Sequence, residues 1–506
     1  MKRRSAVLLT LGLIRASFLG TTLAATNSSL DISSEGRSIY TASGRVTPRM
    51  FISEKVDTEI DDWTPYIQAA IDYAEKSGGG TVFIPPQKKP YPVAGTLHIQ
   101  KDGVVIEGGG RATILMSNNP HADLLTFEHC STCGVQDLQI SGNVSYNEVL
   151  KNREEPYAIV LGRSTNSAFV RHVYIQSMWN GIHIHESDGE DQVTQHVVMS
   201  NMAGHYGIRF DGSKSHQSYR ATIENFTAGN VPLIDFHSNG TVGARWKVKT
   251  AFRKGDVVQS SDGGLWLAQS AAVSGQNEPH GVPGSGATIF NTVFYDGGVS
   301  WLYTAGNMSW ISFSSYAYSL VVRSTALLGG VHAVEMENPE KQVDAAPKWL
   351  FGYDVEGDHN FLTSWDIEAG EAAKCDMCWF GSLTGDGAIY SAETTEGSLV
   401  NSRLAYNGGA GIRVIGGTNH IFSHNQIGRN CGFTVSQGDK TCSGVWLGEP
   451  VRTTVVTANV IGALGNPLSK DNPQKYGIYF EGSKNENKIL EKDNIIEGNN
   501  ISAENR

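Results

Sequence analysis

Three stretches of the chain, each 26 residues after the one before, decide its fold: Gly181–His185 (GIHIH), Gly207–Asp211 (GIRFD) and Leu233–His237 (LIDFH). When they are aligned, apolar residues fall in two columns and titratable or cationic residues fall in two others. Because successive side chains of a β-strand point to opposite faces, the apolar columns predict a core face and the polar columns a solvent face. The sequence therefore predicts a stack of strands that carries acid–base groups on its outer surface.

A second series of repeats occupies the last third of the chain. Gly411–Val414, Gly444–Leu447 and Gly477–Phe480 are 33 residues apart. Self-similarity at this period indicates stacked repeats, and units made of short strands and turns favour a parallel β-helix over leucine-rich repeats or a propeller. Asparagines recur between these units, and we expect them to form a ladder of side-chain hydrogen bonds along the stack: Asn425, Asn459 and Asn494.

The segment that precedes the repeats predicts one helix followed by strands. Asp61–Ala74 has apolar residues at helical spacing with Pro65 in its first turn, and Gly78–Gly80 ends it. Thr81–Pro86 and Val105–Gly110 follow as short strands. This opening resembles that of the pectate-lyase superfamily of right-handed parallel β-helix proteins, over roughly residues 50–240 and 308–500.

The resemblance implies an all-β fold, a right-handed single-stranded parallel β-helix with an N-terminal capping helix. It implies a polysaccharide partner but no single reaction, because the superfamily includes lyases, hydrolases, epimerases and phage tailspike depolymerases. The sequence lacks the Gly-His-Gly and Asn-Thr-Asp runs of polygalacturonases and the Arg-x-Pro-x-x-Arg run of pectate lyases. No catalytic residue is therefore carried over from either family. The oligomeric state is left open, although many tailspike relatives are trimers.

One segment, residues 244–304, interrupts the repeats. It contains Trp246, Trp266 and Trp301 among short apolar stretches and resembles small chitin-binding-type β modules that are inserted in tailspikes. The tryptophans have two interpretations: their rings stack on sugar rings and bind substrate, or they form the core of a module too small to have another.

The N-terminal segment and the net charge of the chain indicate where the protein is located and which partners it binds. Residues 1–25 have a basic start, an apolar stretch and a small-residue end, which predicts a cleaved signal peptide. We expect a mobile segment at 26–47, β-helix at 48–243, the module at 244–304 and β-helix again at 305–506. The protein should be secreted or periplasmic, with no membrane association after signal removal. A formal net charge of −11 without a basic cluster argues against nucleic acid.

Six cysteines fall into three sequence-local pairs: Cys130 and Cys133, Cys375 and Cys378, Cys431 and Cys442. An even count in an exported chain favours disulfides. Zinc is a weaker interpretation, because a structural zinc site needs four ligands and the two CxxC pairs are far apart in sequence.

The outward columns contain six candidate catalytic residues: His183, His185, Arg209, Asp211, Asp235 and His237. Elimination from a uronate needs a group that neutralises the substrate carboxylate, a base and an acid. Arg209 suits the first task because a guanidinium grips a carboxylate through two hydrogen bonds. His185 or His237, oriented by Asp211, suits the second. The other histidine, or a loop tyrosine, is a candidate acid.

The same residues allow other interpretations. Asp211 and Asp235, roughly 8 Å apart on a sheet lattice, suit an inverting glycoside hydrolase. Further acidic pairs lie on predicted strands, each pair on one face: Glu335 and Glu337, Asp354 and Glu356, Asp366 and Glu368. A metal bound by His185, Asp211 and His237 is a third interpretation, whereas Ca²⁺ would require more oxygen ligands. The alternative to a functional site is a row of solvated, mutually paired charges on the protein surface.

The sequence thus favours a secreted enzyme that cleaves a uronate-containing polysaccharide by β-elimination, without metal or other cofactor. An inverting hydrolase of the same fold is the second hypothesis. A glycan-binding protein without catalysis is the third.

Overall fold

The computed structural model describes fifteen stretches of the chain: residues 45–52, 60–142, 156–202, 204–229, 244–253, 256–260, 265–279, 293–305, 308–360, 362–383, 385–431, 442–462, 474–481, 488–499 and 502–504. The predicted signal peptide and nearly all of the predicted mobile segment lie outside these stretches. So do Asp235 and His237.

The described chain is almost entirely β-strand, and most strands join one parallel sheet that winds through successive coils. Strands before the module are Arg45–Val46, Gly80–Ile84, Tyr91–Val93, Leu97–Ile99, Val104–Gly108, Ile114–Ser117, Leu125–Phe127, Gly134–Gly142, Tyr157–Leu161, Phe169–Gln176, Asn180–His185, Gln192–Gln195, Val198–Ser200, Tyr206–Asp211, Ser218–Glu224 and Thr227–Gly229. Strands after it are Ser309–Phe313, Ala317–Leu328, His332–Met336, Lys348–Asp358, Thr363–Asp376, Trp379–Gly381, Ala388–Thr395, Ser398–Val400, Arg403–Ala405, Ile412–Val414, Ile421–Ser423, Gln426–Gly428, Ser443–Leu447, Val455–Thr457, Val460–Gly462, Tyr476–Phe480, Leu490–Lys492, Ile495–Glu497 and Ser502–Glu504. The predicted all-β parallel β-helix is confirmed.

The predicted capping helix is present at Thr64–Lys76. Ile67, Ala70, Ile71 and Ala74 form its buried stripe and join the core of the first coils, as expected for apolar residues three and four positions apart. The carboxylate of Asp62 accepts a hydrogen bond from the Thr64 backbone N–H at 2.9 Å, which satisfies one of the free donors at the helix start.

The interior of the β-helix is lined by apolar columns that run from coil to coil. Ile182, Ile208, Ile311, Val334 and Trp365 are in register on successive strands and are completely buried. Because side chains alternate along a strand, the residues between these apolar positions face outward. The core columns therefore fix which residues form the outer surface of this sheet.

Five neighbouring strands carry the outer surface that concerns function. We name them the histidine strand (Asn180–His185), the arginine strand (Tyr206–Asp211), the serine strand (Ser309–Phe313), the glutamate strand (His332–Met336) and the aspartate strand (Thr363–Asp376). They pair in that order, and their outward surface is called the site face below.

The predicted 26-residue register is confirmed for its first step, whereas the residues of its second step, Leu233–His237, lie outside the described part of the chain. His183 pairs with Arg209 and His185 with Asp211, as expected. The next position in the sheet belongs to the serine strand, which pairs directly with the arginine strand.

Residues 244–305 form sheets of their own. Strands Ala244–Arg245, Val257–Gln259, Leu265–Ala268, Val293–Asp296 and Val299–Ala305 form one sheet, and Ala251–Phe252 pairs with Ala272–Val273 in a second. The module has a separate apolar core, which also includes Trp179 from the turn before the histidine strand. The module therefore packs against the coil that carries His183 and His185.

The predicted asparagine ladder is confirmed. The Asn459 side-chain oxygen accepts the backbone N–H of Asn425 at 2.9 Å, and the Asn494 oxygen accepts the backbone N–H of Asn459 at 3.0 Å. The side-chain amide of Asn459 also donates to the carbonyl of Phe422 at 3.0 Å. Each buried asparagine thus satisfies backbone groups of neighbouring coils, which would otherwise lack partners away from water.

Replacing Asn459 by alanine is expected to lower the free energy of unfolding by about 1–3 kcal/mol, because the buried Asn425 N–H loses its acceptor. Urea unfolding of the purified protein measures the change. Val460→Ala is the matched control, since Val460 is the next residue and is exposed. Equal losses in the two variants would contradict a stabilising role for the ladder.

Two of the cysteine pairs are disulfides, Cys130–Cys133 and Cys375–Cys378. Cys431 and Cys442 are not joined by a disulfide in this structure; burial and a hydrogen bond to Cys442 raise the pKa of the Cys431 thiol. Among the described residues, no helix is both long and apolar enough to cross a membrane.

Candidate functional site

Four of the predicted residues meet on the site face as a compact cluster. His183 and His185 lie on the histidine strand, and Arg209 and Asp211 lie beside them on the arginine strand. Strand alternation positions them, because the residues between them are buried in the core. We call these four residues the His–Arg–Asp cluster.

The carboxylate of Asp211 is the centre of this cluster. Its Oδ1 accepts hydrogen bonds from His183 Nε2 at 2.9 Å and from His185 Nδ1 at 2.6 Å. Its Oδ2 lies 2.5 Å from Arg209 Nε in an ion pair. Asp211 is only 6 % exposed, whereas the side chain of His185 is 39 % exposed. The buried carboxylate therefore orients two imidazoles and a guanidinium that lie closer to the solvent.

The charges of the cluster set its protonation states. Burial alone would raise the pKa of Asp211, but His183, His185 and Arg209 together hold it well below its usual range. Burial works against protonation of His185, yet the hydrogen bond to Asp211 and the nearby Glu186 raise the pKa of His185 above its ordinary value. Asp211 thus stays ionised at neutral pH. It orients its neighbours and is a poor proton donor or acceptor.

Two tyrosines complete the cluster. The Tyr157 ring stacks on the His183 imidazole with centroids 4.5 Å apart. The Arg209 guanidinium carbon lies 4.6 Å from the centre of the Tyr206 ring. Burial raises the pKa of Tyr206. The tyrosine expected from the sequence was in a loop, whereas Tyr206 is the first residue of the arginine strand.

Four carboxylates continue the site face beyond the serine strand. Glu335 follows Arg209 and Ser312 in one outward column, and Asp366 follows Glu335. Glu337 and Glu368 occupy the neighbouring outward positions, since Met336 and Ile367 between them are buried. The carboxylate quartet is defined as Glu335, Glu337, Asp366 and Glu368. Within the quartet, Glu335 and Glu337 share a face, and so do Asp366 and Glu368, as predicted. Both pairs lie on the site face, on the other side of the serine strand from the His–Arg–Asp cluster.

Burial sets two members of the quartet, Glu337 and Asp366, apart from ordinary surface acids. Burial and the neighbouring Glu335 raise the pKa of Glu337 to about 7, in spite of the positive charge of Arg209. Burial also raises the pKa of Asp366 to about 6 although His332 lies near it. These carboxyls are protonated over part of the neutral range. The third predicted acidic pair, Asp354 and Glu356, lies on the Lys348–Asp358 strand of a different part of the sheet and is not near the cluster.

The ligand set for a metal differs from the predicted one. His183 takes the place that was expected for His237, and the ligand atoms of His183, His185 and Asp211 lie within 4.8 Å of one another. The guanidinium of Arg209 is already paired with Asp211, and a cation bound there would face it at short range. Like charges about 4 Å apart repel by about 4 kcal/mol near a protein surface. This repulsion counts against a cation at the cluster, and the expectation that the protein uses no metal stays a prediction.

The tryptophans proposed for sugar contact do not share one surface. Trp266 and Trp301 are completely buried in the module core, so their rings pack on protein and leave no face for a sugar. Trp246 is half-buried against the same core. A contact between Trp246 and substrate stays a prediction.

Comparisons with known proteins identify the architecture. No protein-family model matches the chain, and no curated protein sequence matches it. Among solved structures, the Dettilon tailspike protein matches 86 % of this chain and 68 % of its own with a TM-score of 0.51 and 10 % identity. The mannuronan C-5 epimerase AlgE4 A-module of Azotobacter vinelandii matches 91 % of this chain and 97 % of its own with a TM-score of 0.47 and 15 % identity.

A third similar structure is the catalytic unit of an α-1,3-glucanase from Streptomyces thermodiastaticus, which covers 84 % of this chain and 70 % of its own with a TM-score of 0.46 and 12 % identity. The similarity to the Dettilon tailspike protein agrees with the fold that the sequence predicted. A chitin-binding relationship for the inserted module stays a prediction.

Proposed function

We propose that the protein acts on a polysaccharide and cleaves a uronate-containing chain by β-elimination at the His–Arg–Asp cluster. The observation that carries this proposal is the buried Asp211 carboxylate, which holds two histidines and an arginine together on an open face. Polysaccharides are also named for two of the solved neighbours, a mannuronan epimerase and a glucanase. Those similarities concern the fold, and the proposed elimination is inferred from the residues of the His–Arg–Asp cluster.

Arg209 is the group that would bind the uronate carboxylate. Its Nε pairs with Asp211 at 2.5 Å, and its side chain lies on the site face. A guanidinium binds a carboxylate through two parallel hydrogen bonds. Neutralising that charge makes the proton at C5 more acidic, because the carbanion that forms can delocalise into the carboxylate.

His185 is the proposed base. Its Nδ1 donates to Asp211 at 2.6 Å, and its side chain is exposed enough to meet a ligand. With the proton fixed on Nδ1, the lone pair lies on Nε2, which is the nitrogen that faces away from Asp211. His185 would therefore remove the C5 proton while Asp211 stabilises the resulting imidazolium.

The test is a product assay with a panel of uronate-containing polysaccharides. Elimination produces an unsaturated uronate that absorbs in the ultraviolet, and we expect this absorbance to rise together with new reducing ends. New reducing ends without absorbance would reject elimination. Deuterium uptake at C5 from heavy water without cleavage would indicate epimerisation and would also reject it.

A second candidate function is hydrolysis by the carboxylate quartet. Glu335 and Glu337 are alternate residues of one strand, so their carboxyls are roughly 7 Å apart. Inverting glycosidases separate their acid and base by about 6.5–9.5 Å. The raised pKa of Glu337 favours an acid role. Reducing ends without unsaturated product would support this candidate, whereas glycan binding without either product would support an adhesin.

We also propose an extracytoplasmic location. The two disulfides fit an oxidising compartment. The trimer that the family resemblance suggests remains a proposal.

A further inference from the structure

The elimination proposed above leaves one task without a residue: protonation of the glycosidic oxygen that leaves C4. Asp211 is ionised, and it engages His183 Nε2 and His185 Nδ1. Tyr206 packs on the guanidinium of Arg209, and burial raises its pKa, which makes it a weak acid. The protonated carboxyls of the quartet are stronger acids than Tyr206 and titrate close to neutral pH.

Glu337 lies on the opposite side of Arg209 from the histidines. Its backbone N–H donates to the carbonyl of Phe313 at 3.0 Å, which places it beside Ser314 and in the outward column of Asp211 and His185. Ser312 Oγ donates to its Oε1 at 3.4 Å. Glu337 and Arg209 lie close enough for each to shift the pKa of the other. A sugar carboxylate held by Arg209 would thus lie between His185 and Glu337.

The surroundings of Glu337 favour its protonated form. Burial is the main cause, and the carboxylates of Glu335 on its own strand and Glu368 on the aspartate strand add to it. The positive charge of Arg209 opposes this effect but does not overcome it. A carboxyl whose pKa is about 7 carries a proton over much of the neutral range and releases it readily.

We propose that Glu337 is the catalytic acid that protonates the leaving oxygen of the eliminated sugar. His185 Nε2 takes the C5 proton, and the electrons of that C–H bond form the C4–C5 double bond. The C4–O4 bond breaks with its electron pair on O4, and O4 takes the proton of the Glu337 carboxyl. Glu337 is left as a carboxylate beside Arg209, and solvent returns its proton after release. This inference rests on the proposed elimination.

The experiment compares wild type with Glu337→Gln on two substrates. On a uronate oligosaccharide, we expect kcat to fall by about 10²–10³-fold because glutamine cannot donate the required proton. On a uronide whose C4 leaving group is 4-nitrophenol, we expect a loss of less than about tenfold, since a phenolate leaves without protonation. The fall of activity above pH 7 should also disappear in the variant.

Glu371→Gln is the matched control, because Glu371 lies on the aspartate strand outside the site face, where it pairs with Lys348 at 3.6 Å. Equal losses of Glu337→Gln on both substrates, or no loss on either, would overturn the acid role. Thermal unfolding midpoints show that the variants are folded. Absence of unsaturated product from wild type is a different outcome, which rejects elimination itself and with it the role of Glu337.

Discussion

Replacing Asp211 by asparagine is expected to lower turnover by about 10³–10⁴-fold, which is the effect of losing the carboxylate that orients a catalytic histidine. An amide cannot accept hydrogen bonds from two imidazoles and also balance the charge of Arg209. His185 then loses the interaction that fixes its proton on Nδ1. Steady-state rates of unsaturated product formation measure the loss.

The same variant should change the pH dependence of the rate. Asp211 raises the pKa of His185 in the wild type, and the base must be unprotonated, so activity rises with pH through that pKa. Without the carboxylate the pKa of His185 falls, and the acidic limb should move to lower pH while the maximum decreases.

Asp188→Asn is the matched control for this substitution. Asp188 also pairs with a histidine, His216, at 2.5 Å between side-chain atoms, but it lies in a loop outside the His–Arg–Asp cluster. It should retain wild-type turnover. A comparable loss in the two variants, or an unmoved acidic limb in Asp211→Asn, would show that Asp211 does not act through His185.

Replacing Arg209 by alanine is expected to lower kcat/KM on a uronate substrate by about 10²–10³-fold, because a buried positive group that stabilises developing charge is lost. On the methyl-esterified substrate the loss should be much smaller, since the ester carries no charge for Arg209 to neutralise. The kcat/KM of Arg209→Lys on the uronate substrate should fall between those of the wild type and Arg209→Ala, because an ammonium keeps the charge without the paired hydrogen bonds.

The fold should survive this change. Arg209 lies outside the apolar core, and Asp211 keeps its two histidine partners. We expect a loss of about 1–3 kcal/mol in the free energy of unfolding from the missing ion pair. Arg323→Ala is the control, because Arg323 pairs with Glu224 at 3.0 Å away from the site face. Equal losses on charged and esterified substrates would contradict the proposed contact.

The sequence was sufficient to predict the architecture and all four residues of the His–Arg–Asp cluster, but not where the carboxylate quartet lies relative to them. Local alternation and a constant step determine which residues face outward, so the pairing of His183 with Arg209 and His185 with Asp211 could be predicted. A repeat pattern does not determine which matching segment takes the free edge of the arginine strand. Ser309–Phe313 carries the same apolar columns and takes that edge.

The position of Glu337 could not be predicted for a related reason. Its strand alternation was visible in the sequence, but its distance from Arg209 depends on how the chain crosses the inserted module. Sequence spacing across an insertion carries no information about stacking order. The buried Trp266 and Trp301 illustrate the same point, since composition alone does not distinguish a module core from a binding platform.

The position of the inserted module has a consequence for how the protein folds. The last described strand of the stack before the module ends at Gly229, and the next one begins at Ser309. In the sequence, the His–Arg–Asp cluster lies before this interval and the carboxylate quartet after it. Closing a long loop is slow and costs entropy that local coil stacking does not. The two halves of the β-helix should therefore nucleate separately, and their docking should be a late step in refolding. Catalytic competence would then be acquired only in that final phase, after most of the secondary structure has formed.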